Sequence, residues 1–352
     1  MPRTSMLLPT AETRLLWRFF DSVSSAIAGR MDRGSPPGEE NLTFLLCELL
    51  DEGSSDLHRL DVSLAQVKKE LAKSDSGLSV EVAFETHPHS KHQEAKFSGA
   101  DIGLVLSLQH PLLGTSTRAV LLQAKKLFPQ SKASAFSIYS GYTSFDVNQA
   151  KFLQELAKRF SVWRSIFYLW YNPTGRAFGD ADAKHVRAYE AMPLTLHSWH
   201  RHPFMDELLE YGYPFAHGSH FSAFESSPAS DEAATAWRAL QPALRLSSLD
   251  TVMSVVGPKT YPRLRSLYEA SASSRDFAPF TPFADFMMLA LLNPRVGAAD
   301  DNWVRLARGE AVPLPDAKPN NQEAVSLGEM SMTPTPRHTL SVTITSTLPS
   351  VG

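Results

Sequence analysis

Apolar residues recur at helical spacing through the opening of the chain and then switch to strand spacing. Leu15, Leu16, Phe19, Phe20, Val23 and Ile27 share one face of a helix predicted over Ala11 to Met31, and Gly34-Ser-Pro-Pro-Gly38 breaks it. Leu42, Leu45, Leu46, Leu49 and Leu50 mark a second helix, Glu39 to Glu52, ended by Gly53-Ser-Ser. Asp61 to Lys73 predicts a short third helix, closed by Ser74-Asp-Ser-Gly77. The period then changes. Leu78 to Thr86, Asp101 to Leu108 and Ala119 to Lys126 predict three strands. A Ser- and Tyr-rich loop leads into a helix from about Asp146 to Phe160, with Gln149, Phe152, Leu153, Leu156 and Phe160 on one face. Ser165-Ile-Phe-Tyr-Leu-Trp-Tyr171 predicts a fourth strand, stopped by Asn172-Pro-Thr-Gly175. This order predicts an α/β core in which the last helix makes a crossover.

Beyond Gly175 the periodicity is weaker. It predicts helices at His185 to Met192, Phe204 to Tyr211, Asp231 to Leu244, Leu249 to Val256, Tyr261 to Ala270 and Phe280 to Leu292. From Pro313 onward Pro, Ser, Thr and Asn dominate, the composition of a partly disordered tail, with Thr339 to Thr345 a candidate short strand. Four segments follow: residues 1–38 as a lead-in helix and linker, 39–175 as the core, 176–312 as a helical subdomain, and 313–352 as the tail.

Composition narrows the class. With 43% hydrophobic and 20% charged residues, the chain reads as an ordinary globular protein. A net charge of −3 excludes a global basic field. Locally the balance reverses: between Arg118 and Arg164 stand Arg118, Lys125, Lys126, Lys132, Lys151, Lys158, Arg159 and Arg164 against only Asp146 and Glu155, which suits a polyanion. Cys47 is the only cysteine, so neither a disulfide framework nor a thiolate metal site is available. Met6-Leu-Leu8 is stopped by Pro9, and the apolar run around Phe286 to Leu292 is too short to span a bilayer. A cytoplasmic protein without a membrane partner is the expectation.

The informative irregularity lies in the strands. Gln123 and Lys125 interrupt an apolar run and share a face by alternation, while Asp101 opens the preceding strand. Polar residues placed against the local pattern mark functional sites. The order of elements, with Asp101 in Gly99-Ala-Asp-Ile-Gly-Leu-Val-Leu106 and the triplet Gln123-Ala-Lys125, resembles the PD-(D/E)xK nuclease superfamily. That restriction-endonuclease-like family has an αβββαβ core, an Asp at the start of its second strand and a (D/E/Q)-x-K triplet on its third. The Gln form is that of Mrr-type restriction enzymes and some bacterial defence effectors. The resemblance covers about Glu39 to Pro173.

The resemblance implies a Mg²⁺- or Mn²⁺-dependent endonuclease acting on DNA, in restriction or anti-phage defence. Asp101 is the main metal ligand it implies, with Gln123 and the Ala124 carbonyl beside it. Glu39, in register with Leu42, Leu46 and Leu49, supplies a second carboxylate, with Glu40 as the alternative. Lys125 would orient the attacking water and stabilise developing charge. Gln123 adds no charge, so a catalytically degenerate fold that binds nucleic acid or serves as a scaffold is the alternative. Lys126, Gln149 and Lys151 are candidate DNA contacts. An ATPase or sensor partner is implied, and no P-loop motif occurs in these residues. Self-association is left open. His87, His89 and His92, like His197, His200 and His202, have zinc-like spacing without an accompanying carboxylate or thiolate framework. Tyr139, Tyr142 and Phe145 are left between base stacking and core packing.

Overall fold

The computed structural model describes residues 10–33, 35–54, 58–73, 79–88, 100–111, 114–129, 136–137, 139–162, 165–174, 177, 245–256, 261–264, 266–267, 281–292, 296–315 and 335–347. Their elements run in chain order α1 (Thr10–Met31), α2 (Glu39–Leu50), α3 (Leu64–Leu71), β1 (Ser79–Pro88), β2 (Ile102–His110), β3 (Gly114–Lys126), α4 (Val147–Phe160), β4 (Ile166–Tyr171), β5 (Arg245–Ser248), α5 (Leu249–Val255), β6 (Thr281–Pro282), α6 (Phe283–Leu292), α7 (Asp301–Ala307) and β7 (His338–Thr347). Among the described residues no helix is long and apolar enough to cross a membrane. The helices predicted at His185 to Met192, Phe204 to Tyr211 and Asp231 to Leu244 lie outside the described residues, as does most of the tail.

The fold is α/β, built on one mixed sheet of seven strands in the order β1-β7-β2-β3-β4-β5-β6. β2 and β3 form a hairpin whose register pairs Ile102 with Leu122 and His110 with Gly114. β3 therefore begins five residues before the predicted Ala119, because the polar stretch Gly114 to Thr117, exposed at its first three residues, is recruited by pairing rather than by burial. β4 runs parallel to β3 after the α4 crossover, with Gln123 opposite Tyr168. The candidate strand at Thr339 to Thr345 is present as the ten-residue β7, and its place is what differs from expectation: it is inserted between β1 and β2, antiparallel to the first and parallel to the second. Its alternating burial, with Leu340, Val342 and Ile344 inward, is what fixes that register.

Local chemistry sets the helix ends. The Asp146 carboxylate accepts from the Asn148 N–H at 2.8 Å and starts α4, and Ser161 ends it at φ 57°, in the left-handed region. Asp300 caps α7 by accepting from the Trp303 N–H at 2.9 Å. Helix α6, Phe-Ala-Asp-Phe-Met-Met-Leu-Ala-Leu-Leu, is apolar all round and buried at every position except Asp285. Such a helix must be enclosed. Phe286 packs edge-on to Phe167 of β4, and Phe283 to Phe20 of α1, while the Trp17 indole N–H donates to Asp285 at 2.6 Å.

On the other face, α7 approaches β2 so closely that a Cβ at Gly103 would lie 1.9 Å from the Ala307 carbonyl oxygen. The same carbonyl accepts from the Thr339 hydroxyl of β7 at 2.9 Å, which ties helix and inserted strand together.

Candidate active site

The site forms where β2 and β7 begin and β3 and β4 end. Continuing the β2–β3 register by one residue sets Asp101 opposite Gln123, and the β2–β7 register sets Arg337 on the other flank of Asp101. Gln123 in turn pairs with Tyr168, and Tyr168 with Ser247. One transverse row across the sheet thus reads Arg337, Asp101, Gln123, Tyr168, Ser247, and Lys125 lies two residues along from Gln123 on the same face.

Within this row Asp101 and Gln123 are bonded directly. The Gln123 amide nitrogen donates to Asp101 Oδ2, and the same oxygen accepts from the Ala124 N–H at 2.8 Å. Gln123 is fully enclosed, at 1% exposure, and its amide oxygen accepts from the Gln149 side-chain amide of α4 at 3.0 Å. Burial pushes the Asp101 carboxyl up to about 6 from 3.8; Lys125 opposes the shift, Glu39 adds to it, and the Ala124 N–H and Arg337 oppose it. The Tyr168 hydroxyl is buried without a hydrogen-bond partner among the described residues. Burial, then the Asp101 and Asp146 charges, raise its pKa.

Glu39 arrives from the first turn of α2. Its Oε1 lies 3.6 Å from the Lys125 ammonium, and its Oε2 accepts from the Lys126 backbone N–H at 2.9 Å and the Ser144 hydroxyl at 2.8 Å. The two glutamates are separated by this geometry. Glu39 turns to the strand end and Glu40 points outward to Arg337, whose Nη1 donates to Glu40 Oε1 at 2.6 Å. Arg337 Nε is 3.9 Å from Asp101 Oδ1. Arg337 was invisible to sequence reasoning, since it precedes a strand 236 positions beyond Asp101 that only the sheet order places beside it.

Other candidates separate clearly. The Lys126 ammonium donates to the carbonyls of Pro36 at 3.2 Å and Pro37 at 2.7 Å and lies 5.1 Å from the Phe128 ring centre, so it is engaged in holding the α1–α2 linker. Desolvation lowers its pKa, against the pull of Glu39. Lys151 is exposed on α4. The local basic excess is also partly committed: Arg118 donates to the Leu291 and Val296 carbonyls, and Lys158 and Arg159 both face Glu155. Tyr142 and Phe145 are core residues, against Trp170 and Tyr168, whereas Tyr139 is exposed. Lys132, Arg164, His89, His92, His197, His200 and His202 lie outside the described residues, and His87 is exposed on β1.

The donor set is all oxygen: two carboxylates, an amide and the Ala124 carbonyl, the type a hard divalent cation takes. Its arrangement fits in one respect only after a change. The Gln123 amide presents nitrogen to Asp101, and ligation through oxygen requires it to turn over, with Gln149 turning in concert to keep their mutual hydrogen bond. Among the described residues no group of three or more His, Cys, Asp or Glu side chains is gathered to hold a metal. No protein-family model, curated protein or solved structure matches this chain.

Proposed function

We propose that the protein is a metal-dependent endonuclease that hydrolyses DNA phosphodiester bonds, on a restriction-endonuclease-like core formed by α2, β1, β2, β3, α4 and β4. The single observation that carries the reading is the convergence of Asp101, Gln123 and Lys125 on one face of adjoining strands, with Glu39 at 3.6 Å from Lys125. The insertion of β7 between β1 and β2 is a departure from the plain αβββαβ order. It leaves the β2–β3 hairpin and the α4 crossover intact.

A Mg²⁺ or Mn²⁺ ion held by Asp101, Glu39, Gln123 and the Ala124 carbonyl would polarise the scissile phosphate. The chain's own groups do the rest. Lys125, buried and 3.6 Å from Glu39, holds a water by donation and stabilises charge developing on phosphate oxygens. Glu39 orients that ammonium, and Ser144 and the Lys126 N–H orient Glu39. Gln149 sets the rotation of the Gln123 amide. Control by an ATPase or sensor partner, in restriction or anti-phage defence, belongs to the same reading.

A second reading, a non-cutting nucleic-acid-binding or scaffold fold, is favoured by the Gln123 amide nitrogen facing Asp101. Supercoiled-plasmid cleavage with Mg²⁺ or Mn²⁺ decides between them. The nuclease reading expects wild-type nicking that Asp101→Ala abolishes and Lys125→Ala lowers by about 10²–10³-fold. Tight DNA binding without cleavage would favour the second, and undiminished cleavage by both variants would remove the site assignment.

A further inference from the structure

We propose that Arg337 is a phosphate-binding residue of this site, gripping the DNA strand one contact away from the phosphate that faces Lys125. The inference rests on the nuclease reading and names a substrate contact within it.

Backbone pairing fixes the position. The Arg337 N–H donates to the Ala100 carbonyl at 3.3 Å and the His338 N–H to the Asp101 carbonyl at 3.0 Å, so the arginine is held against the first turn of the Asp101 strand. Two strand spacings separate β7 from β3, about 10 Å. Asp101 and Gln123 are therefore flanked by two cations, Lys125 along β3 and Arg337 across β2. A polyanion laid over the row meets both.

The pairing of Arg337 with Glu40 suits exchange. In this close ion pair the Glu40 side chain is 70% exposed, while the Arg337 side chain is 33% exposed with Nε buried. Exposed ion pairs contribute little to stability, so phosphate can replace the Glu40 carboxylate at small cost. The neighbouring cations differ. Arg118 and Lys126 are tied to backbone carbonyls. A planar guanidinium also matches two phosphate oxygens at once, which an ammonium cannot. Nearby Asp101, at 3.9 Å from Nε, holds the arginine toward the row without a hydrogen bond.

The test is binding of a fluorescein-labelled duplex DNA, followed by anisotropy with Ca²⁺ in place of Mg²⁺ across about 50 to 200 mM salt. Arg337→Gln is expected to lower the slope of log K against log salt by about 0.9, one phosphate contact, and to raise the KM of plasmid cleavage more than it lowers kcat. Arg337→Lys should keep the slope and weaken binding several-fold, because charge survives and the planar fork does not. Glu40→Gln removes the carboxylate that competes with phosphate for Arg337, and binding should be as tight as wild type or tighter. Far-ultraviolet circular dichroism checks each fold, and the Lys variant carries the test if the Gln variant does not fold. An unchanged slope in Arg337→Gln, equal affinity in Arg337→Lys, or equal weakening by Glu40→Gln would overturn the contact while leaving wild-type cleavage intact. A wild-type protein that neither binds nor cuts DNA would overturn both the contact and the nuclease reading.

Discussion

Asp101→Asn should stabilise this protein at pH 8 while ending any cleavage. The carboxyl is held at about 6 chiefly because burial penalises its charge. The rise from 3.8 to about 6 corresponds, at 1.36 kcal/mol per pH unit, to a ceiling of about 3 kcal/mol carried by the ionised group. An asparagine side chain keeps an oxygen for the Ala124 N–H and the Gln123 amide, and loses the attraction of Lys125 and Arg337. A net gain of roughly 1–3 kcal/mol at pH 8 follows. The sign sets the pH window. Between pH 4 and 6 the folded wild type binds this proton and the unfolded chain does not, so wild-type stability falls as pH rises through about 6 and is flat above it. Urea melts of both proteins from pH 4 to 8 measure the difference, which cancels the other carboxylates. The gap should close toward pH 4 and open above 6. Saturating Mn²⁺ should stabilise wild type only, by about 2.7 kcal/mol at a hundredfold excess over Kd. A gap that does not vary with pH, or a less stable variant at pH 8, refutes the assignment of the penalty to Asp101.

Three further outcomes are expected. Gly103→Ala sets a methyl group 1.9 Å from the Ala307 carbonyl oxygen, where backbone rather than a flexible side chain must yield; a loss of about 3 kcal/mol should appear in thermal melts. Gln123→Glu places a second carboxylate against Asp101, which destabilises the metal-free protein by roughly 1–3 kcal/mol and tightens Mn²⁺ binding by calorimetry, so unaltered affinity would argue against ligation at this position. Lys126→Met removes the bonds to the Pro36 and Pro37 carbonyls and should cost roughly 1.5–3 kcal/mol in urea unfolding, with the salt dependence of DNA binding unchanged.

The residues of the candidate site were more legible in the sequence than the order of the sheet. Alternation alone put Gln123 and Lys125 on one face, while the helical register favoured Glu39 and left Glu40 open; the structure turns Glu39 to Lys125 and Glu40 outward to Arg337. The Asp146 cap and the Leu-rich face of α2 were equally local signals, and both elements fall where those signals end. What stayed hidden depends on pairing partners far along the chain. Thr339 to Thr345 was legible as a short strand, but not its insertion between β1 and β2, which depends on partners more than 200 residues earlier in the chain. Arg245 to Ser248 is too short to show a period, and is held by β4 on one side and the two residues of β6 on the other. Helix α7 carried a readable start in Asp300 and Trp303, but its seven residues are fewer than periodicity alone resolves.

The position of β7 gives the site a dependence that no local motif could express. Arg337 and Glu40 are 297 residues apart in sequence, yet their contact and the β2–β7 ladder close one rim of the row. Asp101 is thereby held between the hairpin partner that bonds its carboxylate and a parallel neighbour whose His338 N–H donates to its backbone carbonyl and whose Arg337 lies 3.9 Å from its carboxylate. Without β7, β1 and β2 would each present an unpaired edge, and the penalty on the buried Asp101 would lose one of its two flanking cations. Closing the loop between β1 and β7 carries an entropic cost that grows only slowly with its length, and any chain in which β7 is unpaired lacks the Arg337 flank of the site.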